Sequence, residues 1–190
     1  MNTPNKLTVF RMLITPVFLL VILLDFPYKF LGAALVFSVG AITDAVDGRL
    51  ARKLDQITVF GKLLDPVADK MLTTAALLAF MQLGLCNIWV VMIVLTREFA
   101  VTSIRLIASS QGVVIPANIW GKLKTVTQMT FTILIMLLGE AQEVFGIFPD
   151  TGLWTLPRIA DSLLWITAFF TLVSGVIYIA QSRKTVDFSK

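Results

Sequence analysis

The chain has 190 residues, 57% hydrophobic and 15% charged, with a net charge of +4 and a pI near 9.4. Soluble domains carry about half apolar and about a quarter charged residues, so a mean hydropathy of +0.85 excludes an ordinary soluble fold and points to the membrane. With no histidine and one cysteine, Cys86, the chain also excludes imidazole and thiolate metal centres, histidine general bases and an internal disulfide.

Its basic charge has no soluble face to present to nucleic acid, so anionic headgroups or phosphorylated substrates are the better partners. Residues 1–190 read as a single domain with room for six helices of about 20 residues each and short connections. The first apolar stretch, 7–24, ends at Asp25, Phe26 and Pro27 without a small-residue cleavage site, so it is predicted as a membrane helix and not a signal peptide. Further stretches follow at 30–45, 63–83, 87–107, 119–138 and 159–179. Between them lie the charged segment 48–62, Gly84, the segment 109–116 and the polar stretch 139–157, all read as breakers. The expectation is an all-α, polytopic protein with six transmembrane helices.

Lys and Arg collect on cytoplasmic connections. One side holds Lys6, Arg11, Arg49, Arg52, Lys53, Lys62, Lys122, Lys124, Arg183, Lys184 and Lys190, whereas the other has only Lys29 and Arg158 among several acids. Both termini are therefore expected in the cytoplasm, in a multi-pass protein of the cell membrane.

Carboxylates supply the chemistry. Asp44 and Asp47 are three apart near the end of the second helix, and Asp65 and Asp69 are four apart near the start of the third, so each pair shares a helical face. Two facing pairs would form a cage, and each ionised group in a membrane span costs at least about 2.5 kcal/mol. A bound cation offsets both that cost and the mutual repulsion. All-oxygen ligands favour Mg²⁺ or Mn²⁺, and two ions could share four carboxylates in phosphoryl transfer. Asp69, farthest along its helix, is the candidate general base. Helix capping would account for Asp44 or Asp65 singly, but not for all four.

Gly48, Ala51 and Gly61 leave room for a bulky group beside the backbone, although tight helix packing explains them equally well. Arg52 is placed to bind phosphate; the cytoplasmic charge bias accounts for Arg49, Lys53 and Lys62. Farther on, Arg97, Glu98 and Arg105 interrupt the fourth stretch, and Lys122 and Lys124 open the fifth. They predict a cationic pocket for a phosphate-bearing substrate. The alternative is that Arg97 and Glu98 satisfy buried partners while the lysines snorkel.

Read whole, the segment from Asp44 to Asp69 fits D-x2-D-G-x2-A-R-x8-G-x3-D-x3-D, and on that signature the chain resembles the CDP-alcohol phosphotransferase family. The stretches Pro4, Asn5, Thr8 and Arg11, then Arg97 to Arg105, then Gly121, Lys122, Lys124 and Thr125 make it most similar to members whose acceptor is sn-glycerol 3-phosphate. The resemblance implies transfer of a phosphatidyl group from CDP-diacylglycerol, with release of CMP. It implies metal on Asp44, Asp47, Asp65 and Asp69, with Asp69 also the base. The cytidine diphosphate would lie at Gly48, Ala51, Arg52 and Gly61, near Asn5 and Thr8, and the acceptor phosphate at Arg97, Arg105, Lys122 and Lys124. A homodimer and a bacterial source are also implied. Two other readings stand beside it: a relative using serine, inositol phosphate or phosphatidylglycerol as acceptor, and a cation or proton transporter whose acids form a relay.

Overall fold

The computed structural model describes the backbone of residues 3–54, 59–113 and 119–183, and the side chains of 8–43, 67–113 and 119–183. The described residues form six helices and no strand: α1 (Thr3–Leu23), α2 (Lys29–Leu54), α3 (Val59–Gln82), α4 (Ile88–Ser110), α5 (Ile119–Phe145) and α6 (Leu156–Ser182). By length and hydropathy, α6 alone among them is long and apolar enough to cross a membrane, with a mean hydropathy of 2.1 over its most apolar window. Shorter apolar helical runs cover Thr8–Leu23 and Lys29–Thr43. Arg97, Glu98 and Arg105 break the apolar run of α4, and those charges face a cavity described below.

Two expectations about boundaries are corrected. The segment 48–62 is not a plain breaker, because α2 continues to Leu54 and α3 begins at Val59. Its Ala, Arg, Leu and Lys residues favour helix, and charge alone does not end one. Likewise α5 runs through Gly139 to Phe145, well into the stretch 139–157. Tertiary contacts hold that extension: Glu140 accepts from Leu31 N–H at 2.9 Å, and Lys29 pairs with Glu143 at 3.0 Å. The Glu143 hydrogen bond, helped by Asp25, raises the Lys29 pKa above its usual value.

Helix ends follow local chemistry. Gly84 and Gly112, with φ of 73° and 71°, take left-handed positions after α3 and α4. Each is followed by a residue whose N–H returns to a carbonyl five positions earlier, Leu85 to Phe80 at 2.8 Å and Val113 to Ala108 at 2.9 Å. These are Schellman closures. Asn87 caps α4 by accepting from Trp89 N–H at 3.0 Å, and Pro157 sits in the first turn of α6, where its missing N–H costs nothing.

Helix α1 packs on α2 and α3, α6 on α4 and α5, and contacts of α5 with α2 and of α4 with α3 join the two groups. Phe18, Phe37, Phe80, Leu77, Ile135 and Leu164 fill the centre and are almost wholly buried. Thr167, Thr171 and Ser174 are equally buried, and each hydroxyl donates to a carbonyl of its own helix. That arrangement lets polar residues sit in a membrane bundle. The outside is apolar: Leu13, Leu35, Ile42, Trp89, Phe99, Phe169 and Val176 are all more than 60% exposed. Soluble monomers rarely show such continuous apolar surface, and a bilayer is the solvent that suits it.

Gly139 marks a close helix approach, because a Cβ there would stand 2.9 Å from the Phe30 ring. Gly139→Ala is expected to destabilise the bundle by about 1–3 kcal/mol through overpacking, seen as a lower thermal midpoint in detergent. An unchanged midpoint would mean that Phe30 moves aside freely.

Cys86 lies in the α3–α4 turn, 8% exposed, and burial, aided by Asp161, pushes its thiol up to about 12. Only the thiolate reacts readily with alkylating agents. The folded protein should therefore resist maleimide at pH 8 and become fully labelled in denaturant; rapid labelling of the native protein would contradict that burial.

Candidate active site

The aspartate signature lies across consecutive helices. Asp44, Asp47, Gly48, Ala51 and Arg52 belong to the last turns of α2, and Gly61, Asp65 and Asp69 to the first turns of α3. Both pairs therefore keep the helical spacing read from the sequence. The side chains of Asn5, Asp44, Asp47, Gly48, Ala51, Arg52, Gly61 and Asp65 lie outside the described residues. Asp69 is described: its carboxylate is 48% exposed, and Oδ1 accepts from Arg11, a buried residue of α1. Thr8, one turn before Arg11, is buried as well.

The donor set suits a hard divalent cation. It offers carboxylates from two adjoining helix ends, whereas the softer ligand Cys86 sits beyond the opposite end of α3. Among the described residues no group of three possible metal ligands occurs, and three of the four aspartate side chains are not among them.

The second constellation is visible throughout. Arg97, Glu98 and Arg105 from α4, Gly121, Lys122, Lys124 and Thr125 from α5, and Tyr178 from α6 line a cavity of about 530 Å³. The four cationic side chains and one carboxylate give it a net charge of +3, that is, +4 less 1. Glu98 Oε1 accepts from both Arg97, at 3.0 Å, and Lys124, which is nearly buried. Buried charges of opposite sign must pair in this way in a low-dielectric bundle. Each of the two readings of this cluster therefore describes part of it. Arg97 and Lys124 do both pair with Glu98, and Lys124 does not snorkel. Arg105 and the exposed Lys122 leave the cavity strongly positive.

Tyr178 was not singled out by the sequence. Its hydroxyl accepts from Arg105 Nε at 3.3 Å, and its ring lies 5.3 Å beneath the guanidinium carbon. Both contacts fix the arginine plane and leave its terminal nitrogens for a ligand. The available signal was rarity, since the chain has only two tyrosines and this one falls within an apolar helix. The Arg11–Asp69 pair was also missed, because Arg11 was read chiefly as a topology charge.

Comparison with known proteins agrees with these observations. The family model described as CDP-alcohol phosphatidyltransferase matches residues 1–173. A CDP-diacylglycerol–glycerol-3-phosphate 3-phosphatidyltransferase of Bacillus subtilis is 38% identical over 200 residues, covering 99% of this chain and 98% of that protein. One of the same name from Rickettsia bellii is 32% identical, covering 96% of each. A probable phosphatidylglycerophosphate synthase of Mycobacterium tuberculosis is 34% identical, covering 97% of this chain and 83% of that one. The chain belongs to the CDP-alcohol phosphatidyltransferase family and is an integral membrane enzyme.

Proposed function

We propose that the protein transfers the phosphatidyl group of CDP-diacylglycerol to sn-glycerol 3-phosphate, giving phosphatidylglycerophosphate and CMP. The names of its full-length relatives support that reaction. The observation that favours a phosphate-bearing acceptor is the cavity of net charge +3, in which Arg105 rests on Tyr178. An acceptor that bears a phosphate has use for such a cavity, and an uncharged alcohol has none.

Asp44, Asp47, Asp65 and Asp69 would hold two Mg²⁺ or Mn²⁺ ions, which when bound supply positive charge to the diphosphate. Arg52 would bind the same diphosphate, with the nucleotide against Gly48, Ala51 and Gly61 and near Asn5 and Thr8. The primary hydroxyl of the acceptor attacks the lipid-side phosphorus, forming a new P–O bond as the bond to CMP breaks. Asp69 takes the hydroxyl proton, and Arg11, through Oδ1, fixes the orientation of that carboxylate. Arg97, Arg105, Lys122 and Lys124 hold the acceptor phosphate and so aim its far hydroxyl.

All six helices cross the membrane in this reading, with both termini and the aspartates on the cytoplasmic side of a bacterial cell membrane. The enzyme is a homodimer, as its family resemblance implies. Lipid tails of the donor remain in the bilayer while the soluble acceptor enters from the cytoplasm.

The test is CMP release by the purified protein with CDP-diacylglycerol and Mg²⁺ or Mn²⁺, with and without glycerol 3-phosphate. Metal-dependent release that requires glycerol 3-phosphate is expected. Release only with serine, inositol phosphate or phosphatidylglycerol would change the acceptor, and no release with any of them would favour ion transport.

A further inference from the structure

A second opening lies on the membrane face between α4 and α6, with a volume of about 360 Å³. Met92, Ala100, Leu172 and Val176 make its walls apolar, and Arg97 stands at its edge. Arg97 also lines the cationic cavity, so the two spaces adjoin at this side chain. Gly175 makes the junction possible, because a Cβ there would come within 3.0 Å of Arg97 Cγ. Arg97 donates to Glu98 through one terminal nitrogen, yet its Nε–H is buried and meets no acceptor among the described residues. Buried donors nearly always have partners, so one without any calls for a ligand.

The occupant must satisfy both halves of this arrangement. A groove that opens toward hydrocarbon and has apolar walls suits an acyl chain, which brings no polar group needing a partner. An adjoining space of net charge +3 suits an anionic headgroup and disfavours a zwitterionic one, whose ammonium the same cations would repel. The groove residues Met92 and Ile93 precede Arg97 on α4, and the cavity residue Arg105 follows it. A lipid of the cytoplasmic leaflet, in the orientation proposed above, would therefore lie with its head at the cavity and its chain along the groove.

We infer that the α4–α6 groove seats one acyl chain of an anionic glycerophospholipid, whose phosphodiester accepts from Arg97 Nε and whose headgroup enters the cationic cavity in competition with the acceptor. The competition rests on the reading of that cavity as the acceptor site; the lipid seat does not.

The experiment uses the whole protein in phosphatidylcholine nanodiscs containing a trace of photoreactive lipid, either phosphatidylglycerol or phosphatidylcholine with a diazirine near the chain end. Phosphatidylglycerol should label peptides containing Met92 and Val176 several-fold more than phosphatidylcholine does. Glycerol 3-phosphate should reduce that labelling, and Arg97→Gln should remove the preference. In the kinetic arm, replacing a third of the disc lipid by phosphatidylglycerol should raise the apparent KM for glycerol 3-phosphate several-fold. Val176→Trp, which fills the groove, should abolish that rise without changing the KM in phosphatidylcholine alone. Equal labelling by the two lipids, crosslinks to a second copy at these residues, or the same KM rise in Val176→Trp from surface repulsion would each overturn the inference. Labelling needs no turnover, so an inactive protein with selective labelling would overturn the transferase reading and leave the lipid seat standing.

Discussion

Asp69→Asn is expected to lower CMP release by about 10²–10⁴-fold, the usual contribution of a positioned general base, while CDP-diacylglycerol still binds. Asparagine has the shape of aspartate and keeps an oxygen for Arg11, so the α1–α3 contact survives. It cannot accept a proton from the attacking hydroxyl. Asp44→Asn should act differently, weakening metal and donor binding together, because that side chain is assigned to hold the cation and has no proton to take. Single-turnover CMP release together with equilibrium binding of the donor over a metal titration separates the two. Equal loss of donor binding in both variants would refute this division of roles.

The second large effect is at Arg105. A charge-assisted hydrogen bond contributes about 1.5–3 kcal/mol, so Arg105→Ala should raise the KM for glycerol 3-phosphate by about 10–150-fold, with little change in the KM for CDP-diacylglycerol. Tyr178→Phe keeps the ring beneath the guanidinium and removes only the hydroxyl that accepts from Nε, so its effect should be a smaller rise of the same kind. Steady-state kinetics with each substrate varied in turn would detect both. If Arg105→Ala leaves the acceptor KM unchanged, the acceptor has no phosphate in this cavity, and an acceptor without one, such as serine, becomes the better choice.

The helices were legible because apolar runs of near-span length leave little else to build at this composition. Their ends were not. The continuation of α2 to Leu54 passes through charged residues that hydropathy treats as loop. That of α5 to Phe145 depends on Gly139 beneath Phe30 and on the Lys29–Glu143 pair, contacts between segments far apart in the chain. At the site, the spacing of Asp44, Asp47, Asp65 and Asp69 carries its own geometry, because residues three and four apart on a helix must share a face. The cationic residues were nameable for the same reason. Which of them would be neutralised was not: only the fold reveals that Glu98 holds Arg97 and Lys124 while Arg105 turns to Tyr178. The Arg11–Asp69 pair is of the same kind, since periodicity gives the face of a helix but not what lies opposite it.

The packed centre of the bundle bears on the direction of chemistry. Phe18 and Phe37, with ring centroids 5.9 Å apart, lie with Phe80 and Leu164 in the core of the bundle, and all four are fully buried. Among the described residues these side chains close the middle of the bundle to hydrophilic molecules. In the proposed reaction a water-soluble acceptor that leaves the cationic cavity unchanged returns to the side it came from, whereas the lipid made from it passes into the bilayer that holds the donor's chains. On that reading the acceptor becomes lipid on the face where it entered, and the packed core is a wall behind the reaction rather than a passage through the membrane.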